Sequence, residues 1–413
     1  MSSDPESLAT RVKASATMPR EGVNTVVLVV FCQLVHGITF SALPLLLPLI
    51  REDLQISFSQ AGMLSAAMTL SYALGQIPAG YLSDRYGPRR LFFTGLLGWS
   101  AFSLLFGLIH SFPLALATQF IAGAFRALLF APGMTLLASW FPPQRRATAM
   151  SLYMLGGFAG TIVLSLGGPL LTALYGWRVA FILFAALGMA AAFLYRAYAR
   201  EKPRAQQAQH LALGDLFRLF RYPIMWVCSG LQFVRFSVVM AFNFWLPSLL
   251  VADRGLSVQT AGLVVAMSAA FTAPSNTVGG YVSDRTKNPP LVIGGALAIL
   301  ACTATLLVVV ESIPLLLVVI AVNSVFLQFY FGPLFLVPVE VLGPRIAGTA
   351  TGFSNLFANL GGFFTAYALG VIRDKAGTFT WGFVSISGAC LVGVALSVVL
   401  ARMRRRALAA QQA

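Results

Sequence analysis

The sequence predicts an all-α integral membrane protein with twelve transmembrane helices in two pseudo-symmetric six-helix bundles. Three observations carry that expectation. Of 413 residues only 10% are charged and 58% are hydrophobic, too little polar material to cover a water-exposed globule. The apolar residues fall into twelve runs, each about as long as the ~20 residues that cross a ~30 Å hydrocarbon core. The chain also repeats itself. Gly80 to Arg85 (GYLSDR) returns 200 residues later as Gly280 to Arg285 (GYVSDR), with five of six residues identical, and Pro143 to Ala149 answers Pro344 to Ala350 at a shift of 201. Two matches at nearly one spacing mark a duplicated chain, and a unit of half the protein is too long for a solenoid.

Residues 1–20 form a polar tail carrying Arg11, Lys13 and Arg20. Apolar runs follow at 24–49, 61–82, 91–110, 112–138, 147–172 and 177–197, and make an N-terminal bundle over 21–200. The first run is too long for a signal-peptide core and lacks a small-residue cleavage site, so it is expected to remain as a helix. A polar linker, 201–222, joins the halves. Its later part is either plain linker or a short amphipathic helix lying on the inner leaflet. Runs at 223–250, 259–283, 290–310, 313–339, 347–372 and 378–401 make a C-terminal bundle over 223–401, and 402–413 is a basic tail.

Positive residues set the orientation. With the amino terminus inside, 21 of the 28 Lys and Arg lie on the cytoplasmic side and five outside: Arg51, Arg178, Arg254, Arg373 and Lys375. Both termini are therefore expected in the cytoplasm of a multi-pass plasma-membrane protein, which is the inner membrane if the cell is bacterial. The net charge of +15 is then topological, since no polar stretch is long enough to fold as a nucleic-acid-binding domain. Cys32, Cys228, Cys302 and Cys390 all lie in apolar runs without short spacings, so neither disulfides nor a metal cluster are expected. No nucleotide-binding loop is visible, and no cofactor, catalytic residue or enzymatic activity is expected.

The run Gly80-Tyr81-Leu82-Ser83-Asp84-Arg85-Tyr86-Gly87-Pro88-Arg89-Arg90, between the second and third apolar segments, resembles the signature loop of the major facilitator superfamily. Its degenerate copy after the eighth segment is also typical of that family. Gly168-Pro169, Gly176-Trp177-Arg178 and Phe181 are similar to the family's entry into its sixth helix, and the likeness extends from 24 to 401. The resemblance implies a cytoplasmic latch in which Asp84 engages the far bundle while Arg85, Arg89 and Arg90 hold neighbouring helix ends. The residues themselves fit this, because Asp84 can accept from a helix amino terminus and Gly80 permits close helix approach. Anchoring by positive charge alone accounts equally for Arg89 and Arg90. Gly87 belongs to the first copy. The second copy keeps Asp284 and Arg285 but loses the glycine and both later arginines, so the first latch is expected to be the stronger. Pro88 departs from the basic or polar residue that the family often has. Glu340 either supplements the latch near Arg345 or is a plain helix-end carboxylate.

Two arginines remain. Arg126 lies 14 residues into its run and Arg235 lies 12 residues into its own, close to the bilayer midplane at ~1.5 Å per residue. A lipid-facing arginine there costs about 2.5–3.5 kcal/mol, so both are expected to face a wet interior. Gln119, Gly123, Arg126 and Gly133 share one helical stripe, as do Gln232, Arg235 and Asn243; Gln33 pairs with His36, and Asn323 with Tyr330. These polar sets fall on segments one, four, seven and ten, which the family resemblance implies line the central cavity. All 13 acidic residues sit at tails, loops or helix ends, so no protein carboxylate neutralises the arginines. That invites an anionic ligand, the alternative being bonds from each arginine to carbonyls or amides across a helix interface.

His36 is either a neutral hydrogen-bonded histidine or a proton carrier, while Asn355 and Asn359 are assigned to helix packing. The expected function is secondary active transport of a small or amphipathic carboxylate-type anion by a monomer in the lipid bilayer, through alternating access and proton symport. The alternatives are organic-anion exchange and proton-coupled drug or metabolite efflux.

Overall fold

A computed structural model describes residues 19–142, 145–201, 221–342 and 347–412. The tail before residue 19, most of the linker with Arg204 and its amphipathic part, Arg345, and the side chain of Asp84 lie outside the described residues. The described residues form helices and connecting turns. These are α1 (Arg20–Leu54), α2 (Phe58–Tyr86), α3 (Pro88–Leu108), α4 (Phe112–Ser139), α5 (146–175) and α6 (177–198), then α7 (Pro223–Ala252), α8 (Val258–Thr286), α9 (Pro289–Val309), α10 (Ile313–Leu342), α11 (Ala347–Ala376) and α12 (Thr380–Gln412). Ten described helices are long and apolar enough to cross a membrane. One of these bends into α5 and α6, and the 29-residue α2 completes the twelve passes.

Several boundaries differ from the apolar runs, for physical reasons. Helix α1 continues through Arg51, Glu52 and Asp53 until Gln55 closes it in the left-handed region, φ 50°. Charge ends a hydrophobic run but not a hydrogen-bond ladder. Between α5 and α6 there is no loop, and the turn is made by Gly176 at φ +79°. Inside α7 the backbone widens to a π-helix over Ala241–Trp245. Pro247 explains it, since it has no N–H to give the carbonyl of Asn243 four residues back. Pro333 acts likewise on Phe329, and α10 breaks into a turn at Gln328–Tyr330.

The duplication is visible in the caps. Ser57 caps α2 in a capping box with Gln60, and 200 residues on Ser257 caps α8 by accepting from the Thr260 N–H at 3.1 Å. Asp53 and Asp253, also 200 apart, each take an arginine at the same end of the molecule: Arg178 bridges to Asp53, and Arg373 to Asp253 at 3.0 Å. Trp177 also donates to Asp53, so the Gly-Trp-Arg entry of α6 serves as a tie to α1.

The halves meet along α2 with α11 and α5 with α8. Their contact is one-sided. Away from the termini, a Cβ at Gly62 would run into the Ala366 carbonyl, and one at Gly370 into that of Phe58. At the end carrying the termini, a Cβ at Gly80, Gly280 or Gly352 meets nothing within 4 Å. Tyr81 and Tyr281, beside two of these glycines, are 56% and 63% exposed. A core cluster shared by both halves, with Leu46, Phe58, Trp245, Leu249 and Phe379, seals the far end. The described chain is thus closed at the end away from its termini and open toward them.

Candidate functional site

Arg126 projects from α4 among aromatic rings. Its guanidinium lies 4.2 Å from the Phe40 ring of α1 and 4.3 Å from the Tyr72 ring of α2. Among the described residues it donates no hydrogen bond, and its Nε is buried without a partner. Two ring faces attract a cation but accept none of its N–H groups, so the planar fork remains available. His36 is one turn from Phe40, its ring stacked at 6.0 Å on Phe40 and edge-on at 5.2 Å to Trp99. Both of its ring nitrogens are buried without a partner. Trp99 itself donates to the Thr39 hydroxyl at 2.6 Å, which fixes the indole against the imidazole.

Arg235, buried on α7, is held differently. Its Nε donates to Gln232 Oε1 at 2.7 Å and its Nη1 to Gln328 Oε1 at 3.3 Å, with the Phe331 ring 4.8 Å away. The amide alternative weighed for both arginines describes Arg235 and not Arg126. Tyr330 is fully buried and its hydroxyl has no partner; neither has Gln232 Nε2.

Other predicted residues separate from these two clusters. Gln33 packs against Gly156 and Gly157 of α5, with Oε1 buried and unpartnered. Gln119 is buried two turns from Arg126, on a face whose Gly123 lies against Met68 and Ser71 of α2. Asn243 stands exposed in the π-segment, where its immediate neighbours are buried. Asn323 does not share a face with Tyr330: it donates to Thr303 of α9 at 2.8 Å, because the turn at Gln328–Tyr330 ends the helical phase that the pairing assumed. Asn359 donates to the Asn355 carbonyl within α11.

Phe40, Tyr72 and Gln328 were missed. Gln328 is an amide in the middle of an apolar run, the same signal that singled out Gln232. The two rings carry no polar signal at all.

At the open end, Arg89 donates to the Arg196 carbonyl at 2.8 Å and Tyr195 to the Arg89 carbonyl, tying α3 to α6 within one half. Gly87 makes the α2–α3 turn at φ +86°. Arg85 lies over its neighbour Tyr86, Arg285 reaches Tyr281, and Arg90 and Asp284 are exposed. Glu340 takes the fork of Arg404 at 2.6 and 2.7 Å, joining α10 to α12.

Residues 29–366 match the family described as Major Facilitator Superfamily. A Bacillus subtilis (strain 168) protein named "Hexuronate transporter" is 26% identical over 381 residues, covering 87% of this chain and 89% of its own. An Escherichia coli (strain K12) protein named "Probable galactarate/D-glucarate transporter GudP" is also 26% identical, covering 84% and 86%. In fold, the chain is similar to a bacterial homolog of the human lysosomal transporter Spinster in an inward-facing, unoccupied conformation. The TM-score is 0.77 at 19% identity, with 95% of this chain and 98% of that one covered.

Proposed function

Because the chain belongs to the Major Facilitator Superfamily, a family of transporters and not of enzymes, we propose that it moves a small organic anion of the carboxylate type by alternating access. The observation that carries this reading is Arg126, a midspan cation whose fork no described residue accepts from. The relatives named for hexuronate and for galactarate and D-glucarate, all acids, support it. Cationic-drug efflux lacks the central carboxylate it would need. Both termini lie in the cytoplasm in this reading, as the distribution of Lys and Arg favours, and the open end faces inward. Each chain holds a complete site, so a monomer suffices.

Uptake is coupled to a proton at His36. Its two unpartnered nitrogens sit one ring away from Arg126, so a carboxylate bound there supplies the counter-charge an imidazolium needs. The test is uptake of labelled D-glucuronate into proteoliposomes, with and without an imposed proton gradient. Wild type is expected to accumulate it. Arg126→Gln loses a charged hydrogen bond and is expected to lower uptake about ten- to a hundred-fold. Undiminished uptake by well-folded Arg126→Gln would sink the reading.

A further inference from the structure

Away from the central cluster, α2, α3 and α4 leave a cavity of about 330 Å³ between them, near the end that carries the termini. Close helix contacts set its floor. A Cβ at Gly75 of α2 would lie 2.8 Å from that of Ala127, and one at Gly95 of α3 would lie 2.9 Å from that of Leu128, so both helices press on α4 there. Nearer the α2–α3 turn the gap is unfilled, and Leu82 and Tyr86 of α2 and Arg90, Leu91 and Thr94 of α3 line it together with Leu128. Leu128 is two residues from Arg126, about 200° round α4, which puts the cavity across that helix from the central cation. The walls are apolar, and Thr94 gives its hydroxyl to the Arg90 and Leu91 carbonyls of its own helix. Charge is confined to the rim. Arg90 is exposed there, and among the described residues no hydrogen bond or ion pair holds its side chain; Arg85 lies 5.4 Å from the ring of Tyr86, itself half exposed. Of the carboxylates described at this end, Glu201 lies against Gly87 and Glu340 is taken by Arg404.

We infer that this cavity holds one anionic phospholipid of the surrounding membrane, with its phosphate on Arg90 beside Arg85 and an acyl chain lying along Leu82, Leu91 and Leu128. Arg90 is the third residue of α3, at the height where headgroups meet hydrocarbon, and Leu91 and Thr94 follow it into the apolar layer. A basic rim on a cleft between membrane helices recognises acidic headgroups. A free anion would meet the rim and leave the apolar walls uncovered, while a neutral lipid would cover the walls and leave Arg90 without a counter-charge. An anionic amphiphile meets both. Anchoring by positive charge alone gives Arg90 no fixed partner, whereas the cavity beneath it selects a single lipid. The site lies across α4 from Arg126, so it stands apart from the question of what is transported.

The experiment titrates dioleoyl phosphatidylglycerol or dioleoyl phosphatidylcholine into the delipidated full-length protein and follows the first bound lipid by native mass spectrometry. Phosphatidylglycerol is expected to bind about fivefold tighter or better, and Arg90→Gln to remove that advantage while leaving phosphatidylcholine almost unchanged. Thr94→Trp fills the cavity and keeps every charge. It is expected to weaken both lipids about tenfold, since displacing about two methylenes suffices for that. Arg405→Gln, which removes an equally exposed arginine from α12, controls for charge alone and is expected to change neither lipid. Excess inorganic phosphate is expected not to displace the lipid. Melting temperatures equal to wild type show that the variants fold, and Leu82→Trp replaces Thr94→Trp should that variant fail. Phosphatidylcholine binding as tightly as phosphatidylglycerol overturns the inference, as does a loss in Arg405→Gln equal to that in Arg90→Gln. Displacement by phosphate alone, or lipid binding undiminished in a folded cavity-filling variant, overturns it equally.

Discussion

Asp374, near the carboxyl-terminal end of α11, ties the two halves together at the end away from the termini, the outer side in the proposed orientation, in a way that a single substitution can measure. Its carboxylate accepts the backbone N–H groups of Phe58 at 2.9 Å and Ser59 at 2.7 Å, the first turn of α2 in the other half. Those N–H groups have no intrahelical acceptor, and the helix amino terminus favours a negative charge. Asp374→Asn keeps one acceptor and loses the charge. A lost charged hydrogen bond is worth about 1.5–3 kcal/mol, but Asp374 is exposed and solvent screens it, so about 1 kcal/mol is the better figure. That shifts the ratio of outer-closed to outer-open molecules roughly fivefold. Asp374→Ala removes both bonds and is expected to shift it about thirtyfold. Spin labels at Glu52→Cys on α1 and Gln259→Cys on α8 report the outer separation of the halves. The background needs Cys302→Ser, because Cys302 is the exposed free thiol among otherwise buried ones. A distance distribution that stays the same in folded Asp374→Ala would refute the argument that this carboxylate closes the outer side.

Three other perturbations test the remaining assignments. Asp84→Asn is expected to favour the conformation open toward the termini, opposite in sign to Asp374→Asn; cysteine labelling and transport both equal to wild type would leave only anchoring for that loop. His36→Gln is expected to retain D-glucuronate binding while abolishing stimulation of uptake by a proton gradient, and persistent stimulation would point to anion exchange or to another proton carrier. Reporter fusions are expected to place Arg204 in the cytoplasm and Arg254 outside, and an external signal at Arg204 would reverse the orientation.

The number of passes and the duplication were legible in the sequence because both depend on composition and on matches along the chain. Loops were less so. The α5–α6 junction reads as a gap of four residues between apolar runs, yet one glycine with positive φ suffices. Within the site, the arginines, Gln232 and His36 stand out as polar residues in apolar runs. The phase of α10 was lost at Pro333, so Asn323 and Tyr330, given one face by a regular helix, end on different partners. Phe40 and Tyr72 could not be found by a polar census, since rings that hold a guanidinium look in sequence like rings that fill a core.

The repeat also shows where the halves parted. Gln33-Leu34-Val35-His36 on α1 and Gln232-Phe233-Val234-Arg235 on α7 lie 199 residues apart, so His36 and Arg235 occupy matching positions. In the second half that position is a permanent cation that donates to two neighbouring amide oxygens. In the first half it is an imidazole, and the permanent cation sits instead on α4, at Arg126. A strictly symmetric site would carry either two forks or two imidazoles, and would bind one end of a ligand as readily as the other. Under the proposed function, a titratable ring on α1 with the cation on α4 would give a ligand distinct ends to recognise and a proton its own place. The frame that rocks can stay two-fold, as the paired caps at Ser57 and Ser257 and the paired carboxylates at Asp53 and Asp253 do. The proposed function places divergence at the centre, and that is where the two halves differ in charge.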